Sequence, residues 1–86
     1  MITIKFDRNR SQSVAYDNNL KIGQCDFVEN NDCWNIIHTE VKIAYQGQGI
    51  AGKLVDNVLE NAKKYHKKVV ADCSYAKKRI EKLTKK

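Results

Sequence analysis

Proline is absent from the 86 residues, and no apolar run approaches the roughly 20 residues that a membrane-spanning helix needs. With 42% hydrophobic and 30% charged residues, the chain fits an ordinary soluble globular protein and not a disordered or fibrous one. The N-terminus MITIKFDRNR lacks the apolar core of a signal peptide, so a cytoplasmic location with no membrane partner is expected. Cysteine is scarce and odd in number. Cys25, Cys33 and Cys73 follow no C-x-x-C spacing, which argues against a disulfide framework or a zinc ribbon, and with His66 they suggest no metal site. Free thiols suit a reducing compartment. A chain of this length buries only roughly 60–68% of its surface on folding, so a single domain over residues 1–86 is expected.

Acidic residues are few where basic ones concentrate. Residues 1–62 carry six Lys or Arg and eight Asp or Glu, net −2, whereas residues 63–86 carry ten and two, net +8. This run reads either as a solvated helix face or as a patch that attracts an anionic ligand or nucleic acid. Aromatic residues are not interleaved with it, so nucleic acid is not expected as a partner.

Ile2, Ile4 and Phe6 alternate with Thr3 and Lys5, the period of a half-buried strand. Residues 12–17 and 20–29 form two further strand candidates around Asn18 and Asn19, a pair suited to a tight hairpin. A fourth strand spans 33–43, with Ile37, Thr39, Val41 and Ile43 on one side and Ile36, His38, Glu40 and Lys42 on the other. The period then becomes helical: Ile50, Leu54, Val55, Val58, Leu59, Ala62 and Tyr65 form one stripe over 50–65. KKVVADC reads as a fifth strand, followed by a closing helix capped by Ser74 with Ala76, Ile80 and Leu83 inward. The order predicts an α/β (α+β) fold: an antiparallel β-meander, one β-α-β unit and a C-terminal helix, with the fourth and fifth strands parallel.

Three of the four glycines fall within YQGQGIAGKL, where three phosphate-binding signatures overlap. Gly47, Gly49 and Gly52 spell the dinucleotide G-x-G-x-x-G, and Asp72 follows Gly52 by 20 residues, where a ribose-binding acid would sit. That fold needs several parallel strands buried on both faces, and four apparently antiparallel strands precede the loop. Residues 47–53 spell G-x-x-x-x-G-K, but Leu54 stands where Ser or Thr must bind Mg²⁺. Gln46, Gly49 and Ala51 spell Q-x-x-G-x-A, and this reading fits its surroundings.

The strand IIHTEVKI leading into QGQGIAGKL, the helix, and the final VVADCSYA together resemble the GNAT superfamily of acyl-CoA-dependent N-acetyltransferases. Within it, they look most like a compact single-domain group with HTEV before the loop and CSY after the last strand. The resemblance covers roughly residues 20–80 and implies transfer of an acyl group from acetyl-CoA to a primary amine. It also implies that the fourth and fifth strands splay apart around the pantetheine arm of CoA. The backbone of Val41 and Ile43 would then pair with pantetheine, and Gln46, Gly47, Gln48, Gly49, Ile50 and Ala51 would cradle the pyrophosphate. Gln46 is the uncharged choice at its motif position, so positive charge would come from Lys53 or from Lys77, Lys78 and Arg79. DRNRS is too short for the two helices that usually wall the acceptor site, so an open acceptor side is expected.

Acyl transfer to an amine needs a neutral amine, a donor for the developing oxyanion and a proton for the leaving thiolate. By the resemblance, Glu40 could serve as general base if partial burial raises its pKa, or it could be a carboxylate paired with a neighbouring Lys or His. Tyr75 could protonate the CoA sulfur or simply pack at a helix start. Cys73, near a helix N-terminus amid lysines, could carry an acyl group or be a small buried hydrophobe. His38 could orient Glu40 or be structural. The competing class is a non-catalytic CoA-binding or protein-interaction module that kept the fold.

Overall fold

The computed structural model describes the backbone of residues 1–84 and the side chains of residues 1–82. The expected inward Leu83 side chain, and residues 85 and 86, lie outside the described residues. Strands β1 (Ile2–Asp7), β2 (Gln12–Asp17), β3 (Leu20–Asn30), β4 (Cys33–Val41) and β5 (Lys68–Ala71) form one sheet in sequential order. Helix α1 (Ile50–Lys64) crosses from β4 to β5, and α2 (Ser74–Thr84) follows β5. The first three pairings are antiparallel and the last is parallel, as the element order predicted. Neither helix is long and apolar enough to cross a membrane, among the described residues.

The hairpins close where short polar residues accept a left-handed backbone. Asn18 (φ 56°) turns β2 into β3 with Asp17 opposite Leu20, and Asn31 (φ 46°) turns β3 into β4 with Asn30 opposite Cys33.

Strict alternation fails in β4, and the failure is structural. Asp26 pairs with His38 but Phe27 pairs with Ile36, so Ile37 is an extra residue that reverses which side chains face inward. Trp34 and Ile36 are therefore buried on the same face as the half-buried Thr39 and Val41, while Ile37 is exposed. The expected grouping of Ile37 with Thr39 and Val41 is corrected accordingly. β4 also ends at Val41: Ile43 belongs to a one-turn 3-10 helix over Ile43–Tyr45 and is 87% exposed.

Both helices pack on one face of the sheet. Ile50, Leu54, Val55, Val58 and Ala62 of α1 and Ala76 of α2 join Ile22, Cys25, Phe27, Trp34 and Ile36 in one core. Each large aliphatic side chain contributes about 1.5–3 kcal/mol by leaving water, which fixes α1 against the sheet. Phe6, Phe27 and Trp34 stack, and the Arg8 guanidinium lies over Trp34 and Tyr65 while pairing with Glu29. The opposite face carries no helix among the described residues, because a turn over residues 8–11 joins β1 directly to β2.

Candidate active site

The parallel pairing of β4 with β5 covers only residues 33–36 and 68–71. At its end the Ile36 carbonyl accepts the amides of both Asp72 (3.0 Å) and Cys73 (3.2 Å), after which the chain turns into α2 while β4 runs on to Val41. The strands part there, leaving a cleft of about 580 Å³, within the size range of small-ligand sites.

One wall is the edge of β4. The Lys42 amide bonds to the Ile22 carbonyl at 2.8 Å, so by antiparallel alternation the backbone groups of Val41 and Thr39 point away from β3 and into the cleft. The Gln46 side-chain amide donates to the Val41 carbonyl (3.1 Å), which ties the glycine loop to this edge.

The second wall is the start of α1. Gly47 (φ 81°) and Gly49 (φ 78°) hold the left-handed backbone that glycine adopts at least cost, and Gly49 is the N-cap, accepting the Lys53 amide (3.1 Å). No side chain caps this helix and its first turn has no acid. The first amides of an α-helix lack intrahelical partners and carry the positive end of its dipole, so the opening of α1 presents free donors and positive potential to the cleft.

The third wall is the start of α2. The Lys77 amide bonds to the Cys73 carbonyl (2.9 Å), so Cys73 is the N-cap, in place of the Ser74 that the sequence pointed to. Burial pushes the Cys73 thiol up, but hydrogen bonds from the Ala76 amide, the Thr39 hydroxyl and the Tyr75 and Thr39 amides outweigh it and hold its pKa below the ordinary thiol value. Tyr75 lines the cleft and is 44% exposed.

Of the residues singled out in the sequence, Glu40, Val41, Gln46, Gly47, Gly49, Ile50, Ala51 and Tyr75 line the cleft together. Gln48 stands exposed between the two left-handed glycines. Lys53 points elsewhere, to a depression shared with Ile4, Asp56 and Glu60. Arg79 is held by both carboxylate oxygens of Asp56 (3.0 and 2.7 Å), which removes it from the expected phosphate-binding charge. Glu40 lacks the burial that the base reading invoked: its side chain is 61% exposed, with Oε1 3.2 Å from Nε2 of His38. Both lie on the helix-free face.

Three residues at the site were not assigned from sequence. Thr39 sits inside HTEV and touches Cys73. Tyr45 lines the cleft and donates to Asp17 at 2.7 Å, an interaction that lowers the Asp17 pKa and raises that of Tyr45; nothing local in the sequence marks it. Gly52 lets α2 approach, since a Cβ there would lie 3.3 Å from the Tyr75 hydroxyl and from Arg79 Cζ.

Similarity to known proteins identifies the family. The family model of GCN5-related N-acetyl-transferases matches residues 12–85. A GCN5-like protein from Staphylococcus aureus is 31% identical, with a TM-score of 0.71 over 94% of this chain and 79% of that one. At the level of fold, the ribosomal-protein-S18-alanine N-acetyltransferase of Escherichia coli superposes with a TM-score of 0.75 at 14% identity, covering 92% of this chain and 54% of that one. N-acetylglutamate synthase from Neisseria gonorrhoeae, solved with coenzyme A and N-acetyl-glutamate, does so at 0.59 and 18% identity, covering 73% and 17%. No curated protein matches the sequence. None of these findings supports the non-catalytic alternative. The chain belongs to the GCN5-related N-acetyltransferase family, whose members transfer an acyl group from acetyl-CoA to an amine.

Proposed function

We propose that acetyl-CoA enters the cleft between β4 and β5 with its pyrophosphate on the amides that open α1 and its pantetheine arm along Val41. The observation that carries this reading is the uncapped, acid-free start of α1 facing the open β4 edge. Because Ile43 has left the strand, pantetheine pairing is confined to the Val41 end of β4, where the carbonyl already holds Gln46 and the N–H is directed into the cleft. A primary amine arrives from the helix-free face, which lacks the walls of a deep acceptor pocket and so admits an amine carried on a larger molecule.

In the direct route the amine attacks the thioester carbonyl, Glu40 receives the amine's proton through water, and Tyr75 gives a proton to the departing CoA sulfur. His38 orients Glu40. The donor set around Cys73 leaves a second route open: the Cys73 sulfur attacks the thioester, CoA leaves as the thiol, and the amine then discharges the acyl group. The three free cysteines support a reducing compartment such as the cytoplasm.

Thiol release from acetyl-CoA over a panel of amines tests the reading. Glu40→Gln should lose more activity at neutral than at alkaline pH, where the amine deprotonates unaided. Equal loss at both would remove Glu40 from the base role. A hydroxylamine-sensitive acetyl adduct on Cys73 that an amine discharges would establish the covalent route instead.

A further inference from the structure

HTEV and CSY are distant in sequence, yet the fold sets Thr39 of one against Cys73 of the other. Thr39 Oγ1 lies 3.7 Å from Cys73 Sγ and 3.5 Å from Cys25 Sγ. Cys25 is the cross-strand neighbour of Thr39 and is fully buried. A threonine hydroxyl has one proton, so it cannot donate to both sulfurs at once. While Cys73 keeps its proton, its thiol donates to Thr39 Oγ1 and the Thr39 hydroxyl donates to Cys25 Sγ. Once Cys73 carries negative charge both bonds reverse: the hydroxyl turns to Cys73, and the Cys25 S–H donates to the oxygen behind it. Reversal requires Cys25 to stay protonated, and burial ensures this by pushing its thiol up to about 11.

We infer that Thr39 is a positioning residue for the Cys73 sulfur, its hydroxyl supplying a reversible donor to negative charge there with the buried Cys25 thiol as the donor behind it. The inference deepens, and rests on, the reading of Cys73 as part of the reaction site. Charged and titratable groups on the surrounding elements include Cys25 and Asp26 on β3, His38 and Glu40 on the far face of β4, Asp72 after β5, Asp56 on α1, and Tyr75, Lys77 and Arg79 on α2. Asp56 and Arg79 are closed onto each other. Among the described residues, Thr39 is the one that offers Cys73 both a backbone and a side-chain donor.

Alkylation of Cys73 by iodoacetamide, resolved by peptide mass spectrometry and followed against pH, reads the charge on this sulfur with no acyl donor or amine present. Thr39→Val removes the hydroxyl and keeps the shape. It should raise the alkylation midpoint by about one pH unit and slow the reaction roughly tenfold at neutral pH, the low end for a hydrogen bond to a charged group. Thr39→Ser should restore both, and Cys25→Ala should produce a smaller rise in the same direction. An unmoved midpoint in folded Thr39→Val, or a Thr39→Ser variant no better than Thr39→Val, overturns the inference. If Thr39→Val does not fold, Cys25→Ala decides, and an unchanged midpoint there overturns it. Acetyl-CoA binding measured on the same wild-type preparation separates the two readings: its absence defeats the proposed site, while the midpoint shifts stand or fall on their own.

Discussion

Gly49 is where a single added side chain most cleanly separates folding from cofactor binding. It starts α1 at φ 78°, and a Cβ built there meets no atom within 4 Å. A substitution at this position therefore costs backbone strain without a clash, about 1–2 kcal/mol for a residue held left-handed. At roughly 4–8 °C per kcal/mol for a domain of this size, Gly49→Ala should lower the melting temperature by about 4–16 °C and leave the protein folded at room temperature. Gly49→Val is larger, and its branched side chain projects into the empty space beside the first amides of α1. If it displaces two amide-to-phosphate hydrogen bonds, each worth at least ~1 kcal/mol, affinity for CoA falls by at least about thirtyfold. Thermal melting establishes the fold and titration calorimetry at fixed salt measures the affinity. A folded Gly49→Val protein that binds CoA as tightly as the wild type would refute the placement of the pyrophosphate.

Three further outcomes follow from particular contacts. Arg79→Gln breaks a pair whose side chains are about one-third exposed, so it should cost under ~1 kcal/mol and leave CoA affinity unchanged; weaker binding in calorimetry would mean the guanidinium leaves Asp56 for the phosphates. Tyr45→Phe should flatten stability against pH at both ends. The Asp17 pKa is lowered from 3.8 by the Tyr45 hydrogen bond, so that contribution is present above 3.8 and is lost as pH falls through the lowered value. The Tyr45 pKa is raised from 10.0 by the same bond, so its contribution is present below 10.0 and is lost as pH rises through the raised value. Melting curves across pH that are identical for Tyr45→Phe and wild type would contradict this. Acetyl-CoA should stabilise the protein more than NAD or ATP at equal concentration in a thermal-shift assay, and the reverse order would revive a discarded nucleotide loop.

The strand order, the Asn18 hairpin and the start of α1 were legible because each depends on local chemistry: alternation, a residue tolerant of positive φ, and an apolar stripe at helical spacing. The β4 register was not legible. The extra residue at Ile37 is defined only by its partner strand, and it decides that Thr39 and Val41 face the core side while His38 and Glu40 face away. The end of β4 was misread for a related reason, since Ile43 has strand character but the chain must already turn toward the glycine loop. Cys73 as N-cap, Arg79 on Asp56 and Tyr45 on Asp17 are long-range contacts with no periodic signature. The spacing of the glycine loop left three phosphate-binding signatures open, and its neighbours in the chain chose among them.

We place acetyl-CoA in the cleft between β4 and β5 with its phosphates at the start of α1. Amide NMR of the ¹⁵N-labelled protein during titration with acetyl-CoA tests it most directly. The largest shifts should fall at Val41 and at residues 47–52, followed by Cys73 and Tyr75. Saturable binding that leaves those amides unmoved and shifts the basic end of α1 or the helix-free face instead would contradict it.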